Sequence, residues 1–430
     1  MSIPATMRAL QQTSRNGPRD MRLITDAPVP NPGPGEVLIR VTAAGVNFAD
    51  ISKSHGTFGD GPQPPYLAGF EAAGEVVAVG DAVTSPRPGA RVVGVGVGAF
   101  ADYMVLPAAA AVPVPPGWTE QQALGLMVNW PTALAALKPL GGITAGQTVL
   151  IQAAAGATGQ AAIAIAKHYG ATVVATASPA KHETVLALGA DHVLDSLHGD
   201  LAAEVLRLTG GAGVDVALES AGGATFEASL AAAKRITGRV VVYGSAGGEA
   251  AITNWDLVYR HQVHLIGLNI GVLIQAAPQI FGEVMGELST LIAAGVLAPV
   301  QPTAYDLAYR GVRALRRGPA RTGAARRRHP GGDAVRRLAV GPGDVYPHTR
   351  CVRAGHARRL ADDRDHRQWT AGRRRVPPGR GRYAASRRSR GAGTHRHRRL
   401  PRDQVPRSGA GHNVRLPGRA RALTYRHGPA

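Results

Sequence analysis

Thr148-Val-Leu-Ile-Gln-Ala-Ala-Ala-Gly-Ala-Thr-Gly159 is the stretch whose reading decides the fold. A short apolar run gives way to small residues, then to Gly156 and Gly159, and Gln160–Tyr169 follows as a helix-grade run closed by Gly170. The pattern predicts a buried strand, a tight turn and a helix ended by a C′ glycine. Such a turn leaves backbone N–H groups and the positive end of the helix facing outward, where a pyrophosphate can sit. Against the dinucleotide fingerprint G-x-G-x-x-G, positions 154, 156 and 159 read Ala, Gly and Gly, one glycine short. A cofactor-free α/β core is the bland alternative for the same pattern.

A second strand is predicted over Thr172–Ala177, ending at Ser178. An NAD enzyme usually places an acidic residue near this point to take the ribose hydroxyls. Here the segment reads Ser178-Pro-Ala-Lys181, with no carboxylate before Glu183. A hydroxyl and an ammonium suit a 2′-phosphate, so the expected cofactor is NADPH rather than NADH. A solvated lysine is the alternative for Lys181.

Working outward, strand and helix alternate from about residue 126: strands at 192–195, 214–218, 239–243 and 263–267, helices near 181–188, 201–208 and 224–233, then an amphipathic run over 278–294. Repeated βα units of this length predict a parallel, doubly wound Rossmann sheet. Residues 1–125 read differently. Short β-like segments such as Gly35–Thr42, Ala73–Gly80 and Ala90–Val95 stand between Gly/Pro turns, predicting a compact β-rich domain.

The formal charge of +20 misleads, because it comes from one end. Residues 310–430 hold 33 Arg and 6 Asp, whereas residues 1–309 hold 16 basic and 23 acidic residues. The body is therefore mildly acidic. Its lack of cysteine (Cys351 lies in the basic end) excludes disulfides and thiolate metal ligands there and fits a cytoplasmic location. No signal-like segment and no apolar run of about 18–20 residues is present, so neither export nor a membrane span is expected. Residues 310–430 contain no Lys, Glu, Ile, Phe or Met, and no apolar periodicity survives. GC-rich DNA read out of frame is the favoured origin. An arginine-rich nucleic-acid arm is the rival, disfavoured because only Tyr346, Trp369, Tyr383 and Tyr425 could stack on bases. Disorder is expected over most of this tail under either origin.

Several motifs in residues 20–309 together resemble the medium-chain dehydrogenase/reductase superfamily, and within it the zinc-independent quinone oxidoreductase (zeta-crystallin-like) group. They are Gly45-Val-Asn-Phe-Ala-Asp50, Gly69-Phe-Glu-Ala-Ala-Gly-Glu-Val-Val77, Pro88-Gly-Ala-Arg-Val92, Val128-Asn-Trp-Pro-Thr-Ala-Leu134, Ala153–Gly159, Thr176–Glu183 and Tyr243-Gly-Ser245. The resemblance implies a GroES-like substrate domain over 1–125, a Rossmann NADPH domain over 126–268 and a return segment over 269–309. Zinc alcohol dehydrogenases of the superfamily have Cys and His where this chain has Asn47 and Phe70, which implies no metal. Without a Lewis acid, an already electrophilic acceptor is required: a quinone or an α,β-unsaturated carbonyl.

The resemblance places Asn47 beside nicotinamide and substrate, with a turn-stabilising role as its alternative. Asp50 is the second catalytic candidate, read more readily as a structural acid of the following helix. Phe58 and Trp130 are slot walls or core aromatics. For the cofactor, Gly156, Thr158 and Gly159 take the pyrophosphate with Thr132 nearby, Ser178 and Lys181 take the 2′-phosphate, and Gly244, Ser245 and Asn269 lie at the ligand edge of the sheet. A homodimer through the outer strand at Val263–Gly267 is expected. Relatives end in a strand that returns to the first domain; after Asp306-Leu-Ala308 that segment looks absent, which would leave sheet edge exposed. The rival functions are an enoyl-thioester reductase, a non-catalytic NADPH-binding protein and an inactive frame-shifted product.

Overall fold

The structure, a computed structural model, describes residues 2–59, 61–299, 302–307 and 337–340. All of them fall in one compact unit, Met1–Ala354. The first half runs β1 (Thr6–Gln12), β2 (Met21–Pro28), β3 (Glu36–Val46), α1 (Phe48–His55), β4 (Tyr66–Leu67), β5 (Glu71–Val79), β6 (Arg91–Val95), β7 (Tyr103–Pro107) and β8 (Val112–Pro113). Its spine is β3. Along one edge β3 pairs antiparallel with β5 from Val37 to Gly45, and β7 pairs antiparallel with Glu36–Arg40. Leu10, Val37, Ile39, Phe100, Met104 and Leu106 are buried in the core of this domain. Burying each such side chain stabilises by about 1.5–3 kcal/mol.

The second half begins with α2 (Glu120–Ala123) and α3 (Asn129–Ala135), then alternates β9 (Thr148–Ile151), α4 (Ala157–His168), β10 (Thr172–Ala177), α5 (His182–Ala187), β11 (His192–Asp195), α6 (Leu201–Leu208), β12 (Val216–Glu219), α7 (Gly223–Ala232), β13 (Arg239–Val242) and β14 (His264–Gly267). Two helices follow, α8 (Ile270–Ala276) and α9 (Pro278–Ala293). The sheet order is β11-β10-β9-β12-β13-β14, with every pairing parallel. This is the doubly wound arrangement expected, and strand order reverses at β9/β12, where open α/β sheets bind ligands. Both faces are covered: Val149 and Ile151 of β9 enter one apolar cluster, and Leu150 between them enters another. A strand buried on both sides reads as a continuous apolar run, which is why Thr148–Ile151 announced itself.

The chain then returns to the first domain through β15 (Thr303–Asp306), followed in the described residues by β16 (Arg337–Val340). Residues 300 and 301 lie outside the described residues. The expectation of a missing final strand is corrected. β16 pairs in parallel with Ala43–Val46 of β3 and antiparallel with β15. An uncovered edge offers a row of backbone donors and acceptors to whichever segment reaches it, and four residues among arginines suffice without apolar periodicity. The disorder and frame-error readings of the tail otherwise fall outside the described residues.

Candidate active site

The turn after β9 is built for close backbone approach. Ala153 has φ 51°, the left-handed region that favours glycine, while Ala154 is not among the positive-φ residues. The glycine missing at position 154 is therefore not needed for the turn. Gly156 is the N-cap of α4, with no side-chain cap on the helix's first N–H groups. Gly159 has no substitute: a Cβ there would lie 2.6 Å from the Cα of Ala154 and 2.7 Å from the carbonyl oxygen of Ala153. An uncapped helix start packed this tightly on its turn fits a dinucleotide pyrophosphate.

Behind the turn lies a buried polar chain that the sequence reading missed. The Glu219 carboxylate accepts from the backbone of Ala221 and Gly222 and, at 2.7 Å, from Ser229 Oγ. Ser229 Oγ accepts from Gln152 Nε2 at 3.0 Å, Gln152 Oε1 accepts from Thr176 Oγ1 at 2.7 Å, and Thr176 Oγ1 accepts from the Ala153 N–H at 3.2 Å. A connected chain of this kind rigidifies the left-handed residue from below.

Ser178 and Lys181 come together at the carboxyl end of β10: Ser178 caps the 3-10 turn Pro179–Lys181, and the Lys181 N–H donates to the Ser178 carbonyl at 2.8 Å. Gly244 and Ser245 follow β13, and a Cβ at Gly244 would meet the Ser220 carbonyl oxygen at 2.7 Å. Asn269 is exposed after β14, its Oδ1 accepting from Gly271 and Val272 as the cap of α8. Thr132 is buried in α3 and donates to the Val128 carbonyl at 2.5 Å.

On the other wall a cavity of about 50 Å³ is lined by Asn47, Glu71, Gly125, Asn129, Trp130 and Gln160, among others, so both halves contribute. Glu71 is its centre, and no sequence argument had singled it out. Buried to 1% exposure, it accepts from the Gly125 N–H at 2.7 Å and from Asn47 Nδ2 at 2.9 Å. Burial pushes its carboxyl above the usual range, and these two bonds pull it back. Asn47 Oδ1 accepts from Asn129 Nδ2 at 3.1 Å, and Asn129 Oδ1 accepts from Thr158 Oγ1 at 2.8 Å. One relay thus runs from Glu71 and Asn47 to Thr158 in the first turn of α4.

Asp50 sits beneath this relay rather than in the cavity. It is 3% exposed, and its Oδ2 accepts from the Asn47 N–H at 2.9 Å, tying off the start of α1. Oδ1 is buried with no hydrogen-bond partner. Burial pushes the carboxyl up to about 7, against the downward pull of the Asn47 N–H and Lys53 and with a push from Glu71. Of the two aromatic candidates, Trp130 is buried and lines the cavity, whereas Phe58 is 40% exposed. Among the described residues no group of three or more His, Cys, Asp and Glu could hold a metal ion, and no helix is long and apolar enough to cross a membrane.

Comparison with known proteins agrees with this geometry. The family model for the alcohol dehydrogenase GroES-like domain matches residues 33–116, and that for zinc-binding dehydrogenases matches residues 157–289. A quinone oxidoreductase structure from Pseudomonas syringae pv. Tomato DC3000 superposes with TM-score 0.67 at 30% identity, covering 77% of this chain and 99% of that one. The chain belongs to the medium-chain dehydrogenase/reductase superfamily. A mycobacterial structure complexed with NADPH is similar to this superfamily member at TM-score 0.67 and 31% identity, over 72% of this chain and 95% of that one. Prostaglandin reductase-3 of Bos taurus is 40% identical over 252 residues, 57% of this chain and 66% of that protein. Polyketide synthases also match at 33–38% identity, and the chain spans no more than 13% of their length.

Proposed function

We propose that this chain is an NADPH-dependent, zinc-free reductase that delivers hydride to a quinone or an α,β-unsaturated carbonyl. The observation that carries the reading is the relay from Glu71 through Asn47 and Asn129 to Thr158, which joins a phosphate-type helix start to an amide in the facing wall. In this reading Gly156, Thr158 and Gly159 hold the pyrophosphate, with Thr132 supporting α3 beside it. Ser178 and Lys181 hold the 2′-phosphate, and Gly244, Ser245 and Asn269 border the nicotinamide half. The cofactor, when bound, supplies a hydride. An amide nitrogen carries two donors; Glu71 takes one from Asn47, and the other is available to the acceptor's carbonyl oxygen. Asp50 holds the backbone of Asn47 in place.

Zinc independence rests on the residue types: an amide at 47 and a phenyl ring at 70 are not zinc ligands of the usual kind. A homodimer through β14 is supported by its position at the sheet's edge and by Ile236, Trp255, Val258, Tyr259 and Leu265, all exposed. A cytoplasmic setting fits the cysteine-free residues 1–309.

The test is NADPH oxidation by the full chain with a small quinone, an enone or an enoyl thioester offered separately. Acceptor-dependent oxidation with the quinone or enone is expected. Tight NADPH binding with no acceptor-dependent rate would overturn the enzyme in favour of a binding protein, and a preference for the thioester would move the substrate class.

A further inference from the structure

Glu219 in β12, Ser229 in α7, Gln152 just after β9 and Thr176 in β10 are polar and buried. Their hydrogen bonds have a direction. Glu219 receives the Ala221 and Gly222 N–H groups at 2.7 and 2.8 Å on Oε1, the setting of a carboxylate, which only accepts. Ser229 Oγ, 2.7 Å from Glu219 Oε2, therefore spends its hydrogen there. Its remaining lone pairs call for a donor, which fixes the nitrogen of the Gln152 amide toward it at 3.0 Å. The amide oxygen of Gln152 then faces Thr176 Oγ1 at 2.7 Å and takes the threonine hydrogen. Thr176 Oγ1 keeps a lone pair for the Ala153 N–H at 3.2 Å. The Ala153 carbonyl in turn accepts from the N–H of Gly156, the N-cap of α4, at 2.9 Å. One acceptor at the far end thus orders every donor up to the left-handed residue that sets the helix start.

We propose that Glu219 is a positioning residue for the cofactor: through Ser229, Gln152 and Thr176 it holds the Ala153 turn on which the pyrophosphate rests. The assignment rests on the dinucleotide reading above. With no exposed surface, Glu219 acts through these side chains and not by contact. Glu219→Gln keeps the shape and reverses the chain. The new amide oxygen still accepts from Ala221 and Gly222, so the segment after β12 keeps its bonds. The new N–H₂ group faces Ser229 Oγ, which now donates to the Gln152 oxygen, and the Gln152 nitrogen turns to Thr176. Thr176 Oγ1 then meets two donors, and its own hydrogen is left without an acceptor directly under Ala153. The 2′-phosphate site hangs on none of this, because Ser178 and Lys181 are joined within their own 3-10 turn.

The experiment uses the full chain as wild type, Glu219→Gln, Ser229→Ala and the double variant. NADPH binding is followed by cofactor fluorescence, and adenosine 2′-monophosphate is titrated as a competitor. Glu219→Gln is expected to bind NADPH about tenfold more weakly, the scale of one buried donor left without its acceptor, and to bind adenosine 2′-monophosphate as the wild type does. Ser229→Ala should also weaken NADPH binding. Adding Glu219→Gln to it should cost nothing more, because the path from the carboxylate is already cut. General loosening of the core would instead weaken both ligands alike and give losses that add, and either result would overturn the proposal. Should Glu219→Gln fail to fold, Thr176→Val and Thr176→Ser carry the test. Only the first removes the hydroxyl, so only the first should lose NADPH affinity, and equal affinity in the two would overturn the proposal. Absence of NADPH binding in the wild type would overturn the cofactor reading and this proposal with it, whereas wild-type binding that survives unchanged in Glu219→Gln would overturn this proposal alone.

Discussion

Replacing Asp50 with asparagine tests the electrostatics under the cleft most sharply. The folded carboxyl titrates near 7 against an ordinary 3.8, chiefly because it is buried. Between those values the folded protein keeps a proton that the unfolded chain has released, so stability falls as pH rises through the window. At about 1.4 kcal/mol per pH unit the gap corresponds to about 4 kcal/mol lost between pH 4 and pH 7. The amide introduced by Asp50→Asn would still accept the Asn47 N–H at its oxygen. Its nitrogen would take the place of the partnerless carboxyl oxygen, at a cost of about 1–2 kcal/mol. Asp50→Asn is therefore expected to be more stable than the wild type by about 2–3 kcal/mol at pH 8 and no more stable at pH 4. Urea unfolding followed by tryptophan fluorescence at pH 4, 6 and 8 measures this. Curves for the two proteins that run parallel with pH would refute the reasoning, because they would mean that Asp50 carries no buried-charge penalty.

Glu71→Gln leaves one acceptor where Gly125 and Asn47 both donate, and it turns an amide N–H₂ toward one of them. A thermal melt should show about 2 kcal/mol of lost stability, and kcat/KM for an enone should fall at least about tenfold as Asn47 loses its orientation. Gly159→Ala would bring a Cβ against Ala154, and the shifted helix start should weaken NADPH binding by about tenfold or more by fluorescence titration. NADPH binding unchanged in Gly159→Ala would mean that the pyrophosphate does not lie on α4.

The sheet was legible because β9 and β12 are buried on both faces and advertise themselves as apolar runs, and because Gly156, Gly159 and Gly170 punctuate α4, the helix that follows β9. Ser178 and Lys181 could be placed together because they are local, within one 3-10 turn. Glu71, by contrast, is one acidic residue in a small-residue strand, and its role depends on Gly125 and Asn47, 54 and 24 residues distant. Gln152, directly after β9, is the middle of a buried network that links β9, β10 and α7. Arg337–Val340 was invisible for another reason: it pairs through backbone groups, which carry no sequence signature.

The central claim is that a 2′-phosphorylated dinucleotide lies across the start of α4 with its phosphate at the end of β10. Fluorescence titration of the wild type and Lys181→Ala with NADPH and NADH tests it directly. The account predicts that the wild type prefers NADPH by at least about tenfold, a charge-assisted contact contributing about 1.5–3 kcal/mol, and that Lys181→Ala loses the preference while its NADH affinity is unchanged. Equal affinity for the two nucleotides in the wild type, or a preference that survives Lys181→Ala, would contradict it.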